Sequence, residues 1–155
     1  MSVVQSSGLL LYRRVEDQIE VLLGHMGGPF WTHKREHAWS IPKGLAEDGE
    51  ADLLAIAERE FAEEMGSPAP EGQTVDLGSV KAGRKSITVY LREGSFETAD
   101  QASNTFEMEW PKGSGQMQHF PEIDRAEWVR IDQARDYLTK GQGPFIDRVI
   151  ETLGL

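Results

Sequence analysis

Glu60, Glu63 and Glu64 stand at i, i+3 and i+4, so on a helix turning ~100° per residue the three carboxylates leave from one side. Arg59, four residues before Glu63, is the base within their reach. Three acids against one base leave surplus negative charge. Each like-charge pair costs roughly 0.2–0.5 kcal/mol in water, and more where one flank is buried. A divalent cation would relieve it, because hard cations take oxygen ligands. A solvated acidic helix face carries the same residues, so the spacing alone leaves both readings open.

The surrounding segments sharpen the choice. From Asp52 to Met65, Leu54, Ala57, Phe61 and Met65 fall on one stripe and Gly66 follows as a stop signal, which predicts a helix. Upstream, Trp39-Ser40-Ile41-Pro42-Lys43-Gly44 is a glycine-containing turn that runs through Leu45 to Glu50 into that helix. Gly44, Glu50, Arg59-Glu60-Phe61, Glu63-Glu64 and Gly66 resemble the Nudix box: Gly, five residues, Glu, seven residues, then Arg-Glu-hydrophobic-any-Glu-Glu-any-Gly-hydrophobic. Two departures stand out: eight residues rather than seven separate Glu50 from Arg59, and Ser67 replaces the final hydrophobic residue. The extra residue is expected to be absorbed near Gly49 to Asp52, before the helix is wound, with the register of the three glutamates untouched.

The resemblance implies an α/β (α+β) fold, an α/β/α sandwich with a mixed sheet, in one domain over residues 1–155. It also implies hydrolysis of a nucleoside diphosphate linked to another group, with Mg²⁺ or Mn²⁺ as cofactor. By the family pattern Glu60, Glu63 and Glu64 would be metal ligands, helped by the Gly44 carbonyl. Arg59 would orient the glutamates, Glu50 would be an outer-shell or additional ligand, and Glu63 and Glu64 would serve catalysis. Family members often take a further acid from outside the box. Glu122, in Phe120-Pro121-Glu122, is the candidate base or ligand, with Glu107 and Glu109 as runners-up.

For the substrate, Lys34, Arg35 and Lys43 with His33 and His37 form the densest basic group in an acidic chain, and phosphate contact is their natural use. Arg84 and Lys85 form a weaker pair. Trp31 and Trp110, in expected loops, and Tyr90 are candidates to stack on a base, worth ~1–3 kcal/mol where it occurs. Trp39 and Trp128 are expected in the core, and His25 and His119 to be structural or exposed. The Trp-Ser-Ile-Pro-Lys-Gly turn is similar to that of dinucleoside polyphosphate hydrolases within the family, so these substrates come first and nucleoside triphosphates second. The alternatives are another diphosphate, such as a nucleotide sugar or capped RNA end, and a nucleotide-binding module without turnover.

The elements that must position these residues read as follows. Ser7 to Arg13 and Ile19 to His25 are apolar runs around a polar turn, hence two strands; Trp39 to Ile41 is a brief strand stopped by Pro42. Leu77 to Ala82 and Ser86 to Leu91 predict a second hairpin, and Glu93 to Gln118 reads as irregular. Ala126 to Ile131 predicts a strand. Asp132 is the expected cap of a helix to about Lys140, and Pro144 suits the first turn of a last helix to about Leu153. Helices and strands do not alternate regularly enough for a parallel doubly wound sheet.

Composition bounds the rest. The 155 residues, 39% hydrophobic and 27% charged, suit one globular domain. With no cysteine, disulfides, thiolate metal sites and a cysteine nucleophile are excluded. Met1 to Ser7 lacks the pattern of a secretory leader, and no apolar run approaches the ~18 residues of a membrane span, so a cytoplasmic protein is expected. A net charge of −10 argues against extended nucleic-acid binding, leaving a nucleotide-type small molecule as the expected partner.

Overall fold

The computed structural model describes residues 3–155, the side chain of Ala82 excepted. Met1 and Ser2, from the N-terminal stretch considered above, lie outside the described residues. Strand β1 (Val4–Val15) turns at Glu16 and Asp17 into β2 (Gln18–Met26), with Tyr12 opposite Val21. Successive side chains of a strand take opposite faces. Leu9 and Leu11 therefore join one buried cluster with Ala57, Phe61 and Met65, while Leu10 joins another with Phe145 and Val149. Because all three leucines are buried, the sheet must be covered on both sides. Helix α1 (Leu53–Met65) covers one face, and α2 (Ile131–Tyr137) with α3 (Gly143–Leu153) covers the other.

The remaining strands are β3 (Trp39–Ser40), β4 (Lys43–Leu45), β5 (Thr74–Ala82), β6 (Lys85–Glu93), β7 (Thr105–Glu109), β8 (Met117–Pro121) and β9 (Ile123–Arg130). The main sheet runs β3-β2-β1-β6-β5, with β4 added to β1 and β9 to β2. β1 pairs parallel with β6 and antiparallel with β2 and β4, so the sheet is mixed and the architecture is the expected α/β/α sandwich. Among the described residues no helix is long and apolar enough to cross a membrane.

Two expectations need correction. Glu93 to Gln118 is not irregular throughout, because β7 pairs with β8 as a separate hairpin, Phe106 opposite Phe120. Its alternation of half-buried Phe106 and Met108 with exposed Glu107 and Glu109 buries no residue fully, and so leaves no apolar run to read. Asp132 is not a helix cap. α2 starts at Ile131 after an extended Arg130, and Asp132 sits in the first turn, 3.2 Å from the Arg130 guanidinium. An acid there still complements the positive helix end.

One feature of the sheet builds the site. The same edge of β1 pairs with β2 at Tyr12 to Val15 and with β4 at Ser6 to Gly8. Between these pairings the Leu9 N–H donates to the Pro42 carbonyl at 3.1 Å. The segment after Pro42, expected as a turn, is instead strand β4, sewn to the sheet rim beside α1. The helix start is set by Asp52, whose carboxylate accepts from the Leu54 and Ala55 N–H groups, and its end by Gly66 at φ 86°. Asp52→Ala is expected to cost ~1 kcal/mol, read as a lower denaturant midpoint at unchanged slope.

Candidate active site

The carboxylates of α1 meet Lys43 and Gly44 of β4 in direct contact. The Lys43 N–H donates to Glu64 Oε1 at 3.2 Å. A Cβ on Gly44 would fall inside the Glu60 carboxylate, so glycine is the residue that lets the helix approach. Arg59 gathers the acids around it. Its Nε and Nη2 donate to Glu50 at 3.1 and 2.8 Å, and its Nη1 to Glu60 at 3.0 Å and Glu63 at 3.3 Å. Nη2 also reaches the Leu45 carbonyl at 3.2 Å, tying helix to strand.

The electrostatics separate these acids. The hydrogen bond from Arg59 holds Glu50 below the usual carboxylate range, and that same bond, first among its acidic contacts, raises the guanidinium's own pKa. Burial raises Glu60, and Glu63 adds to the rise while Arg59 opposes it. Burial pushes Glu64 up to about 8; the Lys43 N–H and charge oppose the shift, and Glu60 and Glu122 add to it. One guanidinium therefore fails to neutralise the group. Strongly perturbed acids in a cleft mark a functional site.

Among the described residues no three acids are drawn together as a ready metal cage; instead Arg59 bridges Glu60 and Glu63. The donor set nevertheless fits a hard cation: oxygen only, under-neutralised, beside a backbone strand kept free of side chain at Gly44. Divalent metals such as Mg²⁺ and Mn²⁺ are the general cofactors of chains with this box.

Glu60, Glu63, Glu64, Lys43 and Gly44 line a cavity of about 600 Å³, and Glu122 lies in the same wall. Asn104, Lys85 and Gln142 complete its sides. The buried Gln142 amide accepts from the Ile41 N–H at 2.8 Å and donates to Ser40 Oγ at 2.9 Å, bracing the segment that enters β4. No sequence signal points to Gln142 or Asn104, since each acts through partners far along the chain.

The family model of the NUDIX domain matches residues 5–149. The chain belongs to the Nudix family. The NUDIX domain of Shewanella oneidensis NrtR complexed with ADP ribose resembles this Nudix chain with TM-score 0.65 and 16% identity, over 99% of this chain and 90% of that one. A C. elegans Ap4A hydrolase binary complex matches with TM-score 0.62 and 21% identity, over 98% of both chains. A structure of MutT, from work on the enzymes of Aliivibrio salmonicida and Vibrio cholerae, matches with TM-score 0.56 and 20% identity, over 96% of both. These likenesses are of fold. No curated protein matches the chain.

Within the Nudix box, the extra residue lies in the loop before α1. Gly49 takes φ 85°, the Glu50 N–H donates to the Glu47 carbonyl at 3.0 Å, and Leu53 then opens the helix. Glu50 consequently still reaches Arg59. Ser67 is exposed, so no apolar side chain is needed there.

The other sequence-named residues lie elsewhere. Lys34 and Arg35 line a second, smaller cavity; Trp31 packs at the edge of the α2/α3 core, with the Lys34 ammonium 5.3 Å from its ring. Tyr90 is half-buried against the α1 cluster, and burial raises its pKa. Glu109 is spent on the Gly113 and Gly115 N–H groups, and Glu107 is exposed opposite His119. Trp39 is buried, Trp128 is half-buried with its indole N–H on the Phe96 carbonyl, and His119 is exposed. Trp110 closes the β7 end, stacked edge-on with Phe30. None of these lines the large cavity.

Proposed function

We propose that this Nudix chain is a metal-dependent pyrophosphohydrolase cleaving a nucleoside diphosphate linked to another group, dinucleoside polyphosphates or nucleoside triphosphates first. The observation that carries this reading is the meeting of Glu60, Glu63 and Glu64 with Lys43 and Gly44 of β4 and with Glu122 around one cavity. Likeness in fold to an Ap4A hydrolase and to MutT supports the substrate class.

Glu60, Glu63, Glu64 and the Gly44 carbonyl would hold Mg²⁺ or Mn²⁺. When bound, the metal neutralises the diphosphate and lowers the pKa of the attacking water. Arg59 orients the glutamates through its paired contacts, and Glu50 in turn orients Arg59. Lys43 and Lys85 line the same cavity and would supply positive charge to phosphate oxygens. Glu122, exposed in the cavity wall, is our candidate to accept the proton of the attacking water.

Gly44→Ala is expected to displace the Glu60 carboxylate and lower turnover about a hundredfold, the size of an ångström-scale misplacement; steady-state kinetics with the melting curve as control would check it. The reading as a whole is tested by release of phosphate or nucleotide from diadenosine polyphosphates, nucleoside triphosphates and nucleotide sugars with Mg²⁺ or Mn²⁺. Metal-dependent turnover is expected. Nucleotide binding without turnover on any of them would leave a binding module in its stead.

A further inference from the structure

We propose a second ligand site in this chain, across β3 from the catalytic cavity, that binds a small diphosphate-bearing anion. Trp39 and Ser40 are successive residues of β3, and their side chains take opposite faces. Ser40 lines the large cavity, whereas Trp39 lines another of about 280 Å³. The two cavities have no lining residue in common. The second is walled by the loop carrying Lys34 and Arg35 and by Arg125 and Glu127 on β9.

Its charge is opposite to that of the chain. Lys34, Arg35 and Arg125 face one acid, Glu127, in a protein of net charge −10. Their donors are largely unspent. Among the described residues Lys34 has no carboxylate partner, and its ammonium rests over the Trp31 ring. Arg125 lies 3.7 Å from Asp124 and 3.8 Å from Glu127, longer than hydrogen bonds, with its guanidinium 5.1 Å from the Trp39 ring. Arg35 gives Nε and Nη2 to the Tyr137 hydroxyl and keeps Nη1.

An oxyanion in this cavity would accept from the free donors of Lys34, Arg35 and Arg125 beside the buried Trp39.

The walls are also held in place. His25, fully buried, contacts Asp124 Oδ1 through Nδ1 and the Lys34 carbonyl through Nε2, both at 2.8 Å. One ring thus ties the loop bearing Lys34 and Arg35 to the strand bearing Arg125. His37 secures the loop's far end, its N–H donating to the Asp136 carbonyl at 3.0 Å. Donors held this way need little ordering on binding. Three cations exceed the need of a single phosphate, and the volume is at the small end of ligand sites, so a diphosphate fits better than a larger ligand.

The test is calorimetric titration of the whole chain, in EDTA, with pyrophosphate and separately with ADP. Without a cation the catalytic cavity, with its glutamates, repels anions. Binding is expected, unchanged in Glu64→Gln and weakened at least about tenfold in Lys34→Gln/Arg125→Gln, whose side chains are exposed. Equal affinity for the two probes assigns a free diphosphate, and binding of ADP alone assigns a nucleotide. Binding of neither, or binding that survives in the double variant, overturns the site. Should that variant fold poorly, shifts of the Lys34 and Arg125 backbone amide resonances on adding the binding probe to the parent are expected, and their absence overturns the site equally. Neither outcome depends on turnover in the catalytic cavity.

Discussion

Glu64→Gln is expected to lower turnover at least ~10³-fold, about 4 kcal/mol of transition-state stabilisation, with the fold intact. The amide keeps an acceptor for the Lys43 N–H but removes the charge the metal needs. The same residue makes a signed prediction without metal. Its folded pKa, about 8, lies above that of the unfolded chain, so between the ordinary carboxylate range and pH 8 the folded state holds the extra proton. That contribution is present at low pH and is lost as pH rises through 8, hence parent stability should decline across this window. Glu64→Gln should lack this decline, so that melting curves from pH 5 to 9 in EDTA diverge in the variant's favour. Metal binding reverses the sign by displacing the proton, and should tighten with pH up to about 8 and release protons in weakly buffered calorimetry. Parallel melting curves, or metal affinity independent of pH, would exclude this role for Glu64.

Phe61→Ala, three residues from Glu64, should act on stability instead. Phe61 is 0% exposed, edge-on to Phe96 at 5.8 Å, and packed with Leu9, Leu11 and Leu22 between α1 and the sheet. Removing so large a buried ring costs ~3–5 kcal/mol, which for a domain of this size lowers Tm by roughly 6–20 °C. Turnover measured well below the new midpoint should change far less than in Glu64→Gln. A cost under about 1 kcal/mol would mean that this face of the helix is not the packed core it is taken to be.

The division between these neighbours was readable from the sequence. A period of 3.6 residues puts Ala57, Phe61 and Met65 on the buried stripe and Glu60, Glu63 and Glu64 along its flank, Glu64 nearest to it, and the structure differs in burying Ile56 rather than Leu54. Ser7 to Arg13 and Ile19 to His25 announce strands for the same local reason: they are apolar over short runs bounded by turns. The β7–β8 hairpin, exposed along most of both strands, carries no such contrast in its sequence. Asp132 does not mark the cap of α2, because an acid suits the first turn as well as the cap position.

What the sequence determined by itself was therefore local: the acidic helix, the segment ahead of it, the Arg59 partner and the family they resemble, all within Gly44 to Ser67. Only the tertiary structure decided which distant residues meet them. It brought Glu122, Lys85 and Gln142 to the same cavity and sent Lys34 and Arg35 to another. The reason is physical. Helix periodicity and turn chemistry act over a few neighbouring residues, whereas the wall of a cavity depends on strand order, on register, and on the side of β3 from which each side chain leaves.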